Sequence, residues 1–323
     1  MLAIRIEQTG GPEVLKTVDV PIPEPGPGQV LVRHQAVGLN FIDTYHRTGL
    51  YPVRMPSGLG MEAAGTVEKV GDGVTRFQVG DPIAYASGPL GAYAEFHVTS
   101  ADRAVKPPPG IDPKIAAAVL LKGMTAEFLV RRCFPLQAGQ TALVHAAAGG
   151  VGQILVQWAK HIGATVIATV GSEDKAEVAR NLGADHVILY RDQDVPAEVR
   201  KTTDGKGVEV AYDSVGAATF EGTLASLARR GMFVSFGNAS GPAPAVQPLQ
   251  LQRAGSVFLT RPTLYDYTAT QAELDDSAGA LFDLIVKGVI KVEVGQTFPL
   301  AQAADAHRAL EARETVGATV LAP

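Results

Sequence analysis

TALVHAAAGGVGQILVQWAKHIGATVIATV, residues 141–170, lays a strand, a glycine-rich turn, a helix and a second strand end to end. Thr141–Ala146 is apolar and of strand length, with Gly139 upstream. The turn Ala147-Ala-Gly-Gly-Val-Gly152 follows. Ile154, Leu155, Trp158, Ala159 and Ile162 then recur at helical spacing, and Gly163 stands where a helix C-cap belongs. Thr165–Val170 is a second apolar run. The turn carries the dinucleotide fingerprint G-x-G-x-x-G with one substitution: Ala147 holds the first glycine position, while Gly149 and Gly152 keep the other two. Ala148, Gly149, Gly150, Val151 and Gly152 therefore form the expected phosphate cradle. Gly149 lets backbone approach a pyrophosphate, Gly152 lets the helix pack closely, and the free N–H groups of the first helical turn face the charge.

Downstream, further strand candidates follow in order: His186–Tyr190, Val208–Ser214, Met232–Gly237 and Ser256–Thr260. Helical segments at Glu173–Leu182, Ala197–Thr203 and Ala218–Ala228 lie between most of them. Six strands with crossover helices predict a doubly wound parallel sheet, with a nucleotide across the strand carboxyl ends. After Arg261-Pro262, residues 273–287 are amphipathic-helical. Val289–Val294, Ala301–Glu311 and Ala318–Leu321 then predict a strand, a helix and a final strand, with the tail returning to the first domain.

Upstream, residues 1 to about 120 are β-rich. Short runs recur at Ala3–Glu7, Val30–Val37, Thr66–Val70, Pro82–Tyr85, Ala92–Val98 and Arg103–Lys106, separated by turn clusters such as Pro21–Gly28 and Gly71-Asp-Gly73. Strands so spaced, without intervening helices, predict a closed or nearly closed barrel. Lys114–Phe134 has helical spacing and bridges the two regions. The expected division is a barrel domain over 1–122, a nucleotide domain over 123–262 and a return over 263–323.

At 323 residues the chain is long enough for two domains. Its net charge is −5, and its longest basic clusters are the pairs Arg131-Arg132 and Arg229-Arg230, so no nucleic-acid footprint is expected. MLAIRIEQTG lacks the apolar core of a signal peptide, and no charge-free run is long enough for a membrane span. The single cysteine, Cys133, rules out an internal disulfide framework or a Cys-rich zinc site. A cytoplasmic protein is expected.

The chain resembles the zinc-independent quinone oxidoreductases of the medium-chain dehydrogenase/reductase superfamily, the group related to zeta-crystallin. The resemblance is carried by Gly10–Leu15, Gly38-Leu-Asn-Phe-Ile-Asp-Thr-Tyr45, Gly60-Met-Glu-Ala-Ala-Gly65, Lys122-Gly-Met-Thr125, His145–Gly152, Tyr212-Asp-Ser-Val-Gly216 and Ser235-Phe-Gly-Asn238. It spans essentially the whole length and implies a GroES-like β-barrel plus a Rossmann domain. Zinc members of the superfamily place a metal cysteine where Asn40 stands and a metal histidine where Met61 stands. A thioether and an amide do not replace them, so no metal is expected. His34, His46 and His97 are read as surface or core histidines.

NAD-specific folds of this kind carry an Asp or Glu about twenty residues after the turn. Nineteen positions beyond Gly152 this chain has Gly171, then Ser172, with Lys175 one helical turn later. Room, a hydroxyl and an ammonium suit a 2′-phosphate, and the expected cofactor is NADPH. The competing reading makes Ser172 an ordinary helix cap and Lys175 a solvated cation. Glu173 and Asp174 complicate the phosphate reading unless they point away. The resemblance adds Tyr190 to the adenosine pocket, Asn40, Phe41, Ile42, Asp43 and Tyr45 on the nicotinamide side, Thr125 and Phe128 on the bridging helix, and Arg313 near the C-terminus. Ser214, Phe236, Gly237 and Asn238 end the fourth and fifth strands, and Leu259, Thr260 and Arg261 end the sixth.

No Ser-His-Asp order, Cys-His pair or buried carboxylate pair can be argued from the sequence. Hydride transfer from NADPH to a quinone needs mostly positioning and exclusion of water. The acceptor oxygen becomes a phenolate that solvent can protonate, and Tyr45, Tyr51 or Asn40 could place a donor beside it. Two other functions remain open: an NADPH-dependent enone or alkenal double-bond reductase, and a non-catalytic NADPH-binding protein of crystallin-like or RNA-binding type. Ser256–Thr260 should form an apolar sheet edge, which predicts a homodimer.

Overall fold

Short alternating segments at the start of the chain become strands, and apolar runs bounded by glycine turns become the buried strands that follow. In chain order the structure, a computed structural model describing all 323 residues, begins with β1 (Leu2–Ile6), β2 (Lys16–Asp19), β3 (Gln29–Leu39), α1 (Phe41–Thr48), β4 (Ser57–Gly58) and β5 (Glu62–Val70). Next come β6 (Pro82–Tyr85), β7 (Phe96–Ser100), β8 (Ala104–Val105) and α2 (Pro113–Phe128). The series β9 (Thr141–Val144), α3 (Gly150–Ile162), β10 (Thr165–Val170), α4 (Glu173–Asn181), β11 (His186–Leu189) and α5 (Val195–Thr202) follows. It continues with β12 (Val208–Asp213), α6 (Phe220–Ser226), β13 (Leu227–Ser235), α7 (Pro248–Arg253), β14 (Phe258–Thr260) and α8 (Leu264–Tyr267). The chain ends with α9 (Gln271–Val286), β15 (Val294–Pro299), α10 (Ala303–Glu311) and β16 (Ala318–Ala322).

These elements divide into two units. Met1–Met124, Thr268–Val286 and Val292–Pro323 form the first; Thr125–Tyr267 and Lys287–Lys291 form the second. The return to the first unit thus starts at Thr268 and is interrupted at 287–291. Gln157 explains the interruption: its amide donates to the Lys291 carbonyl at 3.0 Å and accepts from the Lys291 N–H at 2.8 Å, and Ile290 is buried. That backbone is satisfied by a side chain instead of a ladder, so the strand expected over Val289–Val294 is displaced to β15.

In the first unit, β2-β1-β4 makes a three-stranded sheet and β15-β16-β3-β5-β6-β8 a larger one, with β7 also on β3. All of these pairs are antiparallel except β15 with β16. Ile4, Val32, Leu39, Val67, Ile83 and Leu321 lie in its core. One helix interrupts the strands against expectation. Asn40 accepts the Asp43 N–H on its carbonyl while the Asp43 carboxylate accepts the Asn40 N–H at 2.9 Å, a reciprocal cap that starts α1. Gly49 ends α1 in the left-handed region (φ 83°).

In the second unit the strand order is β11-β10-β9-β12-β13-β14, and every pairing is parallel. The order reverses between β9 and β12. That is where a doubly wound sheet opens its crevice beyond the strand carboxyl ends. Leu143, Ile167, Val199, Ala211, Phe220 and Phe233 pack its core, the last two with ring centroids 5.2 Å apart. Phe233→Ala would cost about 3–5 kcal/mol. β14 is an edge strand, with Phe258 58% exposed. Helix α2 ends in a wider π-helical turn, Leu129–Cys133, so the regular helix is shorter than its sequence spacing implied.

Candidate functional site

The glycine-rich turn leaves β9 at Val144 and enters α3 at Gly150, with Gly149 as N-cap. Its two retained glycines serve different ends. A Cβ on Gly152 would stand 2.3 Å from the Ala146 carbonyl oxygen and 2.8 Å from Ala147 Cα, so Gly152 lets the first turn of α3 lie against the backbone of the loop. A Cβ on Gly149 would meet only the Ala146 oxygen, at 3.1 Å, and its φ of −82° suits any residue. Gly149 therefore keeps space open in front of a helix N-terminus, where phosphate is favoured. Alanine at the first glycine position fits because the turn takes its left-handed step one residue earlier, at Ala146 (φ 51°), and Ala147 is fully buried. Ala148 is buried, while Gly150 and Val151 are half-buried.

At the end of β10 the chain turns through Gly171 and Ser172 into α4. Ser172 is the N-cap by position, yet its hydroxyl makes no capping hydrogen bond. A Cβ on Gly171 would stand 2.7 Å from the Tyr190 hydroxyl and 3.4 Å from Arg191 Nε, so the residues just after β11 close over this glycine. Gly171, Ser172, Lys175 and Tyr190 thus share one end of the sheet. Arg191, which sequence reasoning passed over, joins them. Glu173 pairs with Arg180 at 2.6 Å, two turns along the helix, which leads its charge away from the β10 end.

Ser214, Phe236, Gly237 and Asn238 follow β12 and β13, and Leu259, Thr260 and Arg261 lie at or after the end of β14. A Cβ on Gly237 would lie 2.2 Å from the Ser214 carbonyl oxygen, so the two loops touch backbone to backbone there. Arg261 donates to the Gly237 carbonyl at 3.1 Å. Asp213 fixes the first loop from below: one oxygen accepts the Val215 and Gly216 N–H groups, the other the Thr219 and Thr223 hydroxyls. Thr223 continues to His145 at 2.9 Å and His145 to Thr169 at 2.9 Å. Burial lowers the pKa of His145. This network spans the ends of β9, β10 and β12, and it makes the crevice rim rigid. Thr125 and Phe128 are both buried; the Phe128 ring stacks on Tyr267 at 4.4 Å, with the Arg132 guanidinium over the other ring at 5.4 Å. The basic pair Arg131-Arg132 is matched by buried Glu127 at 3.0 and 2.5 Å.

In the first unit, Asn40 to Tyr45 occupy the start of α1. The Asn40 amide donates to Glu62 at 2.8 Å. Fully buried Glu62 also accepts the Leu121 N–H at 2.7 Å and the Lys122 ammonium at 3.2 Å. Phe41 and Ile42 are half-buried, and Asp43 and Tyr45 are buried. Tyr45 and Tyr51 meet edge to face, with ring centroids 5.3 Å apart. Arg313 sits just past the end of α10 with φ 60°, a left-handed position that glycine usually fills.

The donors at the positions of a catalytic zinc do not suit that ion. Asn40 brings an amide whose nitrogen donates to Glu62, Met61 brings a thioether, and Glu62 is already committed to three donors. No group of three or more His, Cys, Asp or Glu side chains converges as a ligand set. His34 is a core histidine: Ala94 O lies 2.7 Å from one ring nitrogen and the Tyr85 hydroxyl 2.8 Å from the other, and burial pushes its pKa down to about 3.

Residues 26–109 match the family model described as Alcohol dehydrogenase GroES-like domain, and residues 150–280 the one described as Zinc-binding dehydrogenase. A quinone oxidoreductase of Pseudomonas aeruginosa is 52% identical over 321 residues, covering 99% of each chain. The chain belongs to the quinone oxidoreductases of the medium-chain dehydrogenase/reductase superfamily. Other family members share the frame. The crystal structure of the Escherichia coli quinone oxidoreductase complexed with NADPH superposes with a TM-score of 0.98 at 46% identity, covering 100% of both chains. A 2-haloacrylate reductase of a Burkholderia species is 44% identical, covering 100% of this chain and 99% of its own. The family's GroES-like and Rossmann parts correspond to the antiparallel sheets of the first unit and the parallel sheet of the second.

Proposed function

We propose that this chain is an NADPH-dependent quinone reductase that works without a metal ion. The observation that carries the reading is the open end of the parallel sheet. There, an unencumbered helix N-terminus at Gly149–Gly150 and the Gly171, Ser172, Lys175 and Tyr190 cluster offer places for a pyrophosphate and a 2′-phosphate. No carboxylate occupies the position that would read a free ribose 2′-hydroxyl. Full-length likeness to quinone oxidoreductases, one of them solved with NADPH, supports the same cofactor and acceptor.

When bound, NADPH supplies the hydride. The chain's own residues bind, orient and exclude water. Gly149, Gly150, Val151 and Gly152 would hold the pyrophosphate, and Ser172, Lys175 and Tyr190 the 2′-phosphate. Ser214, Gly237, Asn238 and Arg261 would line the strand ends. Asn40, Tyr45 and Tyr51 would present polar groups to the acceptor oxygen. The Asn40 amide nitrogen donates one hydrogen to Glu62, and its second N–H is the donor it would offer. The edge-to-face contact of Tyr45 with Tyr51 keeps both phenols on one short segment.

We further infer a cytoplasmic homodimer. No helix is long and apolar enough to cross a membrane, and β14 exposes Phe258 along an unpaired edge. A second reading, reduction of an activated C=C bond, is favoured by the likeness to 2-haloacrylate reductase. One experiment separates the two: NADPH oxidation followed with quinones, enones, haloacrylates and alkenals side by side. Turnover fastest with quinones is expected. Turnover confined to the C=C acceptors overturns the quinone reading, and turnover with none overturns both.

A further inference from the structure

Beneath the start of α1 lies a closed circuit of buried polar side chains that the reading above does not use. Asp43, fully buried on the first turn, accepts the Asn40 N–H and the Tyr93 hydroxyl on Oδ2, each at 2.9 Å. Its Oδ1 is buried without any partner. The Tyr93 hydroxyl lies 3.1 Å from His307 Nε2, and His307 Nδ1 lies 2.9 Å from Arg47 Nη1. Arg47 is on α1, one turn beyond Asp43. Its side chain is 1% exposed, its Nε donates to the Gly10 carbonyl at 3.0 Å, and its two terminal nitrogens grip Glu311 at 2.9 and 2.6 Å.

The proton positions follow from the donor inventory. A guanidinium only donates, so His307 Nδ1 accepts; the neutral ring then carries its proton on Nε2 and donates to Tyr93 Oη. That leaves the Tyr93 proton for Asp43. Every bond in the circuit points the same way, from Arg47 through His307 and Tyr93 to Asp43, and both ends are on one turn of α1. Burial and the Arg47 charge push His307 down to about 3, so the ring stays neutral and the direction holds.

A buried carboxylate with one unpartnered oxygen is costly, and a helix start needs only a simple cap. The circuit therefore does more than cap. We propose that Tyr93 and His307 are positioning residues: acting through Asp43, they fix the Asn40 backbone and the first turn of α1 for hydride transfer. The inference rests on the reading that the reaction takes place at this end of α1.

Asp43 faces Tyr93, His307 and Arg47 (itself on Glu311) along the circuit, with Glu62 and Lys122 beside it. Burial above all pushes its carboxyl up to about 7; the Asn40 N–H, the Tyr93 hydroxyl and the Lys122 ammonium pull it back, and the Glu62 charge adds to the rise. The ionised form is the stronger acceptor for Asn40 and Tyr93, so hydride transfer should gain as pH rises through this range. Tyr93→Phe removes one donor to the ionised form, and the titration must move to higher pH.

The test is a carboxyl-carbon NMR titration of Asp43 together with pH profiles of kcat, on wild type, Tyr93→Phe, His307→Gln and His307→Leu. Glutamine can still accept from Arg47 and donate to Tyr93; leucine can do neither. In Tyr93→Phe the titration and the acid limb of kcat should both move up by on the order of one pH unit, which lowers kcat roughly 5-fold at neutral pH and leaves it unchanged at high pH. His307→Gln should keep the wild-type profile and His307→Leu should follow Tyr93→Phe, with the KM for NADPH near wild type throughout. A uniform loss of activity at every pH with an unmoved carboxyl titration, or glutamine failing as leucine fails, overturns the proposal. If quinones are not reduced at all, the NMR titration still reports on the circuit, and it is the functional reading that has failed.

Discussion

Gly171 and Tyr190 approach so closely that a Cβ on the glycine would stand 2.7 Å from the tyrosine hydroxyl. The two residues immediately follow adjacent parallel strands, and their contact shapes the pocket proposed for the 2′-phosphate. Gly171→Ala should displace the Tyr190 ring, the flexible partner, without disturbing the sheet. NADPH affinity should fall roughly 5- to 30-fold, the loss of one contact of about 1–2 kcal/mol, with the melting temperature nearly unchanged. Cofactor titration by fluorescence alongside thermal unfolding checks this. Wild-type affinity would mean that Tyr190 does not touch the cofactor.

The two fingerprint glycines should fail differently. Gly152→Ala forces a methyl into the backbone of residues 146–147 and should destabilise the fold by about 1–3 kcal/mol as well as abolish NADPH binding. Gly149→Ala has an ordinary φ and meets only the Ala146 oxygen, at 3.1 Å, so it should cost the fold far less than Gly152→Ala and act mainly on the cofactor. Unfolding curves and cofactor titrations on both variants check the contrast. Equal stability losses would erase the distinction between packing and ligand space.

Asp43 makes stability depend on pH with a definite sign. Its carboxyl is raised in the folded chain, so the stability it contributes is full at acid pH and is lost as pH rises through about 7. Asp43→Asn cannot ionise. Measured by urea unfolding, the stability of the variant relative to wild type should therefore improve from about pH 4 to about pH 7 and level off above that. A difference that stays flat across that range would place the carboxyl's titration near its ordinary value.

Assembly should depend on the β14 edge. A charge on an exposed sheet edge opposes strand pairing between copies, and Phe258→Lys should convert a homodimer to monomers by light scattering. Wild type that is already monomeric, or a variant that remains dimeric, would refute an interface through this strand.

Much of the frame was legible in the sequence, for identifiable reasons. β9, β10 and β12 are mostly buried apolar runs followed by a glycine-containing turn, and the helices after β9 and β10 keep a 3.6-residue period, so the order of these elements could be read directly. β2, Lys16–Asp19, was not legible because it is mostly exposed and shows no apolar face. Helix α1 carries ordinary cap signals at Asn40, Asp43 and Gly49, but at 8 residues it spans too few turns for its period to stand out from the strands around it. The circuit through Asp43, Tyr93, His307 and Arg47 joins residues separated by 50, 214 and 260 positions, and no local spacing reports such contacts. Arg191 was missed for a similar reason: only the packing of β11 beside β10 brings it near Gly171.

The pocket at the end of β10 is proposed to read the 2′-phosphate of NADPH, and Lys175 is the residue on which that reading turns. A charge-assisted contact is worth roughly 1.5–3 kcal/mol, so Lys175→Ala should lower kcat/KM for NADPH by on the order of 10- to 150-fold. The loss should sit in KM, because the phosphate is held alike in the ground and transition states. The measurement is kcat/KM for NADPH and for NADH, on wild type and Lys175→Ala, with one quinone at fixed ionic strength. The expected result is a large loss with NADPH, almost none with NADH, and a collapsed preference between them; equal losses with both cofactors would mean that Lys175 supports the helix and does not read the phosphate.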